Sequence, residues 1–302
     1  MSKTKKIWLI IAVSMMLTGI IVFGGVMSIL NWDFKKLETG KYVTNEYEIT
    51  ESFNNLLITD IATNVEIIPT NDDKCKVVCF ENEKLIHTAQ VIDGTLTIKM
   101  STTKKWYDHL SINFSTPKIS VYIPRGTYNS LSINTNTGDV SVPSGFIFES
   151  VDISSNTGNV GIDGITSGSL KISVNTGDVK ASYITCSGNV SLKVGTGDTH
   201  LSEMHCKDLT SNGSTGNVLL TDVVADGNLK IQLGTGDVTF KRSDANEIFV
   251  KTNTGDVVGD LLSEKIFISN TKTGINEVPK TTVGGRCEIK TNTGDINITI
   301  SK

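Results

Sequence analysis

The stretch LSINTNTGDVSV, Leu131 to Val142, recurs with small changes as LKISVNTGDVKA, Leu170 to Ala181, and as CEIKTNTGDINI, Cys287 to Ile298. In each copy, alternating apolar residues flank a Thr-Gly-Asp turn, a pattern typical of two short β-strands with one buried face each. The turn glycine recurs every 19 or 20 residues, and a fixed period of this size indicates a repeat architecture. The nine glycines are Gly138, Gly158, Gly177, Gly197, Gly216, Gly236, Gly255, Gly274 and Gly294.

Apolar residues occupy equivalent positions in most repeats, seven and five before the glycine and two and four after it. A twenty-residue unit cannot bury this face alone, but stacked coils can, because each coil covers the next. Antiparallel hairpins would need a second turn signal in every unit, and only the glycine turn is invariant. We therefore predict an all-β fold, a parallel β-solenoid of about nine coils of 19–20 residues. A third apolar position lies seven residues after the glycine, at Ile165, Ile184, Met204, Val223 and Leu262.

The Thr-Gly-Asp corner has a structural explanation, so we expect all nine glycines to be turn residues. Glycine tolerates the positive φ of a sharp corner. The neighbouring Asp or Asn can accept hydrogen bonds from nearby backbone amides. Asn159 and Asn217 replace Asp in two copies, and the copy Lys272-Thr273-Gly274-Ile275 lacks the acid.

The N-terminus contains an apolar segment, residues 7–30, that carries no charge. Twenty-four residues at about 1.5 Å each are long enough to cross a bilayer. A cleaved signal peptide is the alternative, but its apolar region is normally shorter and ends in an A-x-A-like site, which this segment lacks. Lys3, Lys5 and Lys6 precede the segment and favour a cytoplasmic N-terminus. We therefore expect a single-pass cell-membrane anchor with an extracytoplasmic C-terminal domain.

Composition argues against nucleic acid as a partner. The 302 residues have a formal net charge of -4 and no basic stripe that could neutralise phosphates. The five cysteines include no CxxC motif, so no disulfide framework or zinc finger is indicated.

The turn repeats and the preceding segments FNNLLITDIATNVEIIPTNDDKCKVVCF and ISVYIPRGTYNSLSINTNTGDV resemble the bacterial putative-adhesin domain family. The resemblance covers roughly residues 53–302. It implies a β-solenoid domain of unknown function, often tethered by an N-terminal segment, with envelope-stress-associated relatives in Gram-positive bacteria. The family provides no catalytic residues for this sequence.

The chain divides into five segments on this interpretation. Residues 1–6 form a cytoplasmic stub, 7–30 the transmembrane helix and 31–50 a linker. Residues 51–130 contain strand-like runs without a clean period, which we expect to form an irregular β region capping the first coil. Residues 131–302 form the solenoid.

The acidic residues after the turn glycines are candidate calcium ligands. Stacked carboxylates can hold Ca²⁺, which takes six to eight oxygen ligands. One acid per coil, interrupted by Asn, offers few ligands, and a structural role in the turn explains the same residues. We expect no cofactor and no metal, with four residues kept as calcium candidates: Asp178, Asp198, Asp237 and Asp256.

Other candidate sites have simple structural explanations. Thr-x-Thr pairs such as Thr135/Thr137 are too discontinuous for an ice-binding face. The run TTKKWYDHL, Thr102 to Leu110, is typical of a solvated loop, with lipid headgroups or glycans as the alternative partners. Cys186 and Cys206 fall at the same position of adjacent repeats, near His200 and His205. Their spacing allows a disulfide or a metal site, with packed thiols and exposed histidines as the alternative.

These observations lead to a functional hypothesis of a non-catalytic, membrane-anchored adhesin or cell-envelope interaction protein. Its partner would be an unknown envelope or extracellular protein or glycan. The first alternative is an accessory or sensory subunit of an envelope-stress signalling system. The second is a polysaccharide-acting enzyme, disfavoured because Arg242 lacks a stacked basic partner and because no hydrolase or phosphate-binding motif is present.

Overall fold

The computed structural model describes residues 2–38, 40–102 and 115–301. All strands of these residues join one continuous sheet that winds into a parallel β-solenoid, as predicted. The candidate surface run Thr102 to Leu110 lies outside the described residues except for Thr102, the last residue of a strand.

Helix α1, Lys3–Ile29, is the one helix of the described residues that is long and apolar enough to span a membrane. After Lys6 the 27-residue helix contains no acidic or basic residue, and its apolar side chains are largely exposed. A solvent-exposed apolar helix is stable where lipid surrounds it. A signal sequence would pass the same test of length and composition. A 3-10 helix, Phe34–Leu37, follows.

Seven strands of the described residues lie before the repeats: β1 (Tyr42–Ile49), β2 (Asn55–Ala62), β3 (Asn64–Thr70), β4 (Cys75–Asn82), β5 (Leu85–Ile92), β6 (Thr95–Thr102) and β7 (Lys118–Pro124). Strands β1 and β4–β7 close the N-terminal end of the stack, and we call them the N-terminal cap. Strand β4 lies antiparallel to β7, β5 lies antiparallel to β6, and β1 lies antiparallel to β4. Antiparallel strands end the parallel stack and cover its edge.

The region 51–130 also contributes regular coils, although its sequence has no period. Strands β2 and β3 stack in register on the first glycine repeat, with Leu56 beside Leu131 and Ile58 beside Ile133. Thr63 occupies the corner where the later coils have glycine. The coil is hidden in the sequence because its corner lacks the glycine and the capping strands follow it.

The repeats form the remaining strands, and each coil pairs in parallel with its neighbours. Equivalent residues of successive coils lie side by side, as in Leu131, Val151 and Leu170. The strands are β8 (Gly126–Thr137), β9 (Val140–Val142), β10 (Phe146–Thr157), β11 (Val160–Asp163), β12 (Thr166–Thr176), β13 (Val179–Thr196), β14 (Thr199–Thr215), β15 (Val218–Thr235), β16 (Val238–Thr254), β17 (Val257–Leu261), β18 (Lys265–Thr273), β19 (Asn276–Glu277), β20 (Gly285–Thr293) and β21 (Ile296–Ile300).

The last two repeats are stacked in reverse order. Strands β20 and β21 pair with β16 and β17 on one side and with β18 and β19 on the other. The Gly294 coil therefore lies between the Gly255 coil and the Gly274 coil. Consequently the Gly274 coil is the end of the stack within the described residues, and Ile266, Ile268 and Ile275 are exposed there.

A second corner lies six residues after the turn glycine, where four successive coils place non-glycine residues at positive φ. These are Tyr183, Glu203, Asp222 and Arg242, with φ between 48° and 56°. Gly164 occupies the same position of an earlier coil at 60°. The left-handed conformation costs a non-glycine residue only about 1–2 kcal/mol. Because a well-packed coil can offset this cost, the second corner does not require glycine.

The core is a set of apolar columns that run the length of the solenoid. The positions predicted from the period are buried in most coils, including Leu131, Ile133, Val140 and Val142. Leu262 is an exception, and its prediction as an inward apolar residue is wrong. Its side chain is exposed, and the neighbouring Leu261 is buried in its place. The register shifts between Phe240 and Ser243 where β17 pairs with β16, which shortens this coil by one residue.

Candidate functional site

The Gly-Asp corner forms one continuous column along the solenoid. Its glycines have φ between 134° and 146°, a region that side chains rarely adopt. A Cβ on Gly197 would lie 2.1 Å from the carbonyl oxygen of Gly177 in the adjacent coil. Glycine is therefore required here both by the backbone conformation and by the close approach of the next coil.

The residues after these glycines form a ladder of side chain to backbone hydrogen bonds. The Asp178 Oδ1 atom accepts a bond from the Asp198 N–H at 2.8 Å, and the Asp198 Oδ1 atom accepts one from Asn217 at 2.7 Å. Each acceptor thus reaches the next coil rather than its own turn. Asp and Asn are interchangeable because each has this oxygen. The ladder runs from Asn64 through Asp139, Asn159, Asp178, Asp198, Asn217, Asp237, Asp256 and Asp295 to Ile275.

The end of the ladder explains the copy that lacks the acid. The Ile275 N–H donates to Asp295 Oδ1 at 2.7 Å, and the Gly274 coil has no further coil beyond it among the described residues. A side-chain acceptor at position 275 would therefore face no amide of a further coil in the described part of the chain.

The four calcium candidates lie in this single column. Asp178 and Asp198 are on adjacent coils, and Asp237 and Asp256 are on adjacent coils, with Asn217 between the two pairs. One oxygen of each carboxylate already accepts a backbone hydrogen bond. The column therefore offers isolated single oxygens rather than the cage of six to eight that calcium takes.

The thiols and histidines near Cys186 are separated by the strand. Cys186 and Cys206 lie side by side in register, and both are buried free thiols. His200 and His205 point outward, and the His205 Nε2 atom lies 3.0 Å from Asp226 Oδ1. Inward sulphurs and outward imidazoles do not form one metal site.

Arg242, the candidate cation of a polysaccharide-acting enzyme, forms part of the second corner. Its guanidinium binds both oxygens of Asp222, at 2.7 Å from Nε and 2.5 Å from Nη2. Its backbone N–H donates to Asp260 at 2.9 Å. This arginine therefore joins neighbouring coils.

A groove of about 650 Å³ on the outward face of the strands that precede the glycine corner is the main candidate binding site. We call it the lysine groove. Lys230 lies beside Phe249 in the next coil, and Gln232 lies beside Lys251. The groove is lined by Asn189, Asp208, Thr210, Asn228, Lys230, Ile231, Gln232, Phe249, Val250, Lys251, Glu288 and Lys290.

The charges of the lysine groove are unevenly paired. Glu288 accepts hydrogen bonds from Lys290 and Arg286, which lower the pKa of its carboxyl group. The Arg286 guanidinium lies 5.8 Å from the centre of the Phe249 ring. Lys230 and Lys251 are exposed and have no ion pair or hydrogen bond within the part of the chain that the structure describes. The groove thus presents two free ammonium groups near one aromatic ring, Lys230 beside Phe249 on the preceding coil and Lys251 two residues further along the strand of Phe249.

The sequence gives no sign of the lysine groove, because no single repeat contains it. In the seven residues before its turn glycine, each repeat shows little: Phe249 is a single aromatic residue there, and Lys230 and Lys251 are single lysines. Aligning the repeats on their glycines and reading down the outward positions would have placed these residues together. The alignment must also place the Gly294 coil directly after the Gly255 coil. In that order Glu288 lies beside Phe249, and Lys290 lies beside Lys251.

Residues 53–299 match the Toastrack DUF4097 family, and the chain belongs to this family. The family resemblance predicted from the sequence is thereby confirmed. Comparison with curated proteins gives no match.

Three solved structures of bacterial proteins are similar to this chain over most of its length. A "putative adhesin" of Bacteroides fragilis is 15% identical, with 86% of this chain and 97% of that chain covered and a TM-score of 0.37. A "putative adhesin" of Parabacteroides distasonis is 13% identical, with 87% and 98% covered and a TM-score of 0.43. A "Putative lipid binding protein" of Parabacteroides distasonis is 15% identical, with 88% and 98% covered and a TM-score of 0.38.

Proposed function

We propose that this chain is a membrane-anchored extracytoplasmic binding protein, not an enzyme, whose lysine groove holds an acidic polysaccharide of the cell envelope or of an external surface. Helix α1 supports the anchor, and Lys3, Lys5 and Lys6 favour a cytoplasmic N-terminus. The solenoid would then stand outside the membrane on the residues that follow the helix.

The observation that carries the proposal is the pair of unpaired ammonium groups beside Phe249. Carboxylates or sulfates on a sugar chain would bind Lys230 and Lys251, while a sugar ring packs on the aromatic face. Amide and hydroxyl side chains such as Gln232, Asn228 and Thr210 line the same groove and can bind sugar hydroxyls. Adjacent coils are about 4.8 Å apart along the solenoid, and the groove is lined by residues of several successive coils. A groove that crosses several coils suits an extended polysaccharide chain.

Direct binding measurements test this proposal. The full chain in detergent micelles would be titrated with acidic and neutral polysaccharides of equal length. We expect saturable binding of the acidic chains, weakened by sodium chloride because the contacts are ionic. The double variant Lys230→Ala/Lys251→Ala should lose most of this binding, and Phe249→Ala should weaken it.

Lys180 provides the matched control, because it is an exposed lysine after the glycine corner and outside the groove. Lys180→Ala should bind like the parent chain. An equal loss of polysaccharide binding in Lys180→Ala and in the double variant would show non-specific charge attraction and would contradict binding in the lysine groove. The stress-signalling alternative predicts a different phenotype, because deletion of the chain would then change stress-response expression rather than surface attachment.

A further inference from the structure

A cluster of buried ionisable side chains lies between β2 and the N-terminal cap. Asp60 comes from β2, Cys79 and Glu81 come from β4, and His87 comes from β5. All four are at most 5% exposed. Strand alternation directs Cys79 and Glu81 to the same inward face, where the other residues of β4 are Cys75 and Val77.

The imidazole of His87 is held between two carboxylates. Its Nε2 atom lies 2.9 Å from Asp60 Oδ1, and its Nδ1 atom lies 2.5 Å from Glu81 Oε2. The second oxygen of each carboxylate is also fixed, by the Thr63 N–H at 2.6 Å from Asp60 Oδ2 and by Asn45 Nδ2 at 2.6 Å from Glu81 Oε1. Hydrogen bonds therefore orient both carboxylates toward the imidazole.

The charges of this cluster do not balance. Two carboxylates face one imidazole, so the fully ionised cluster carries one more negative than positive charge. The two carboxylates therefore make the buried cluster electronegative, which favours a cation as its ligand. Burial alone would lower the pKa of His87, but its hydrogen bonds to Asp60 and Glu81 outweigh burial and raise it.

Three ligand atoms of different chemistry converge in the cluster. The Cys79 Sγ atom, a Glu81 carboxylate oxygen and a His87 ring nitrogen lie within 4.8 Å of one another. The remaining nitrogen of His87 binds Asp60, which is the arrangement that orients metal-bound histidines in proteins. A cavity of about 200 Å³, lined in part by Glu81 and Thr63, borders the same place.

We propose that Cys79, Glu81 and His87 bind a zinc ion that joins β4 and β5 of the N-terminal cap, with Asp60 positioning His87. Sulphur, imidazole and carboxylate ligands together suit zinc rather than calcium or magnesium. Zinc bonds of about 2.0–2.3 Å place tetrahedral ligand atoms roughly 3.3–3.8 Å apart, so His87 Nδ1 and Glu81 Oε2 separate by about 1 Å on binding.

Binding requires the deprotonated form of each ligand. Zinc takes the thiolate of Cys79 and the unprotonated Nδ1 atom of His87, so the protons on these two atoms pass to solvent when the ion binds. The Nε2–H group of His87 continues to donate to Asp60.

Metal titration of the full chain in detergent micelles tests this site. After treatment with a chelator, the chain should bind one equivalent of cobalt(II) with a thiolate-to-cobalt charge-transfer absorption, and zinc(II) should displace the cobalt. Cys79→Ser should lose that absorption. Asp60→Asn should weaken zinc binding about 10–100-fold, because an outer partner of the ligand is changed.

Cys75→Ser is the matched control, since Cys75 is a buried cysteine on the same face of β4 outside the cluster. It should bind cobalt and zinc like the parent chain. Stoichiometric cobalt binding by the parent chain, and its displacement by zinc, test the proposal even if Cys79→Ser fails to fold. Absence of stoichiometric binding, or unchanged absorption in Cys79→Ser, would overturn the proposal.

Discussion

The carboxylate of Asp198 and the backbone N–H of Asn217 are joined by a hydrogen bond of 2.7 Å between adjacent coils. The same bond recurs along the stack, so the acid column holds coils together at the glycine corner.

We predict that Asp198→Ala destabilises the solenoid more than Asp198→Asn does. Alanine leaves the Asn217 N–H without its acceptor, which costs about 0.5–1.5 kcal/mol for a partly exposed bond. Asparagine keeps the oxygen and already occupies positions 159 and 217, so its cost should be small. Denaturant unfolding of the two variants measures the difference. Equal stabilities would contradict the role of the ladder.

We predict that Gly197→Ala destabilises the chain by about 2–4 kcal/mol, whereas Gly161→Ala is nearly neutral. The new Cβ at position 197 would clash with the Gly177 carbonyl at 2.1 Å and would be placed at a φ of +140°. A Cβ at Gly161 would meet no atom nearer than 3.9 Å. Thermal melts of the two variants provide the comparison, and similar melting temperatures would refute the requirement for glycine.

We predict that the acid column gives no calcium-specific stabilisation. Asp178, Asp198, Asp237 and Asp256 each commit one oxygen to a backbone amide, so a cation should act on them only by screening. Calcium should then raise the melting temperature no more than magnesium or sodium chloride at matched ionic strength. A specific site would add about 3 kcal/mol at a hundredfold excess over Kd. The same titration of Cys79→Ser, which lacks one ligand of the proposed zinc site, shows whether any response to calcium comes from that site instead of the acid column.

We predict that a membrane-impermeant maleimide labels Thr44→Cys on intact cells. Thr44 is exposed on β1, close after the helix. All five native cysteines are buried, and burial raises the pKa of four of them to about 12, so background labelling should be slow. Labelling of the variant only after lysis would place the domain in the cytoplasm and would exclude the proposed binding role at the surface.

Periodicity predicts the features that every coil needs. The inward columns, the glycine corner and the register of Cys186 with Cys206 all follow from aligning the repeats. The second corner is not visible in the sequence, because residues as different as Tyr183 and Arg242 adopt the same left-handed conformation. The His87 cluster is also hidden, because its members come from the region without a period.

The order of the last coils sets the order in which the solenoid can assemble. Strands β18 and β19 pair only with β20 and β21 in the described structure, and β20 and β21 follow them in the chain. Earlier coils can join the stack as they are synthesised, but residues 262–284 must wait for β20 and β21. The growing chain therefore carries one unattached coil until these two strands have been made. A chain truncated at residue 284 would lack the strands on which the Gly274 coil packs, and proteases should cut it within residues 262–284.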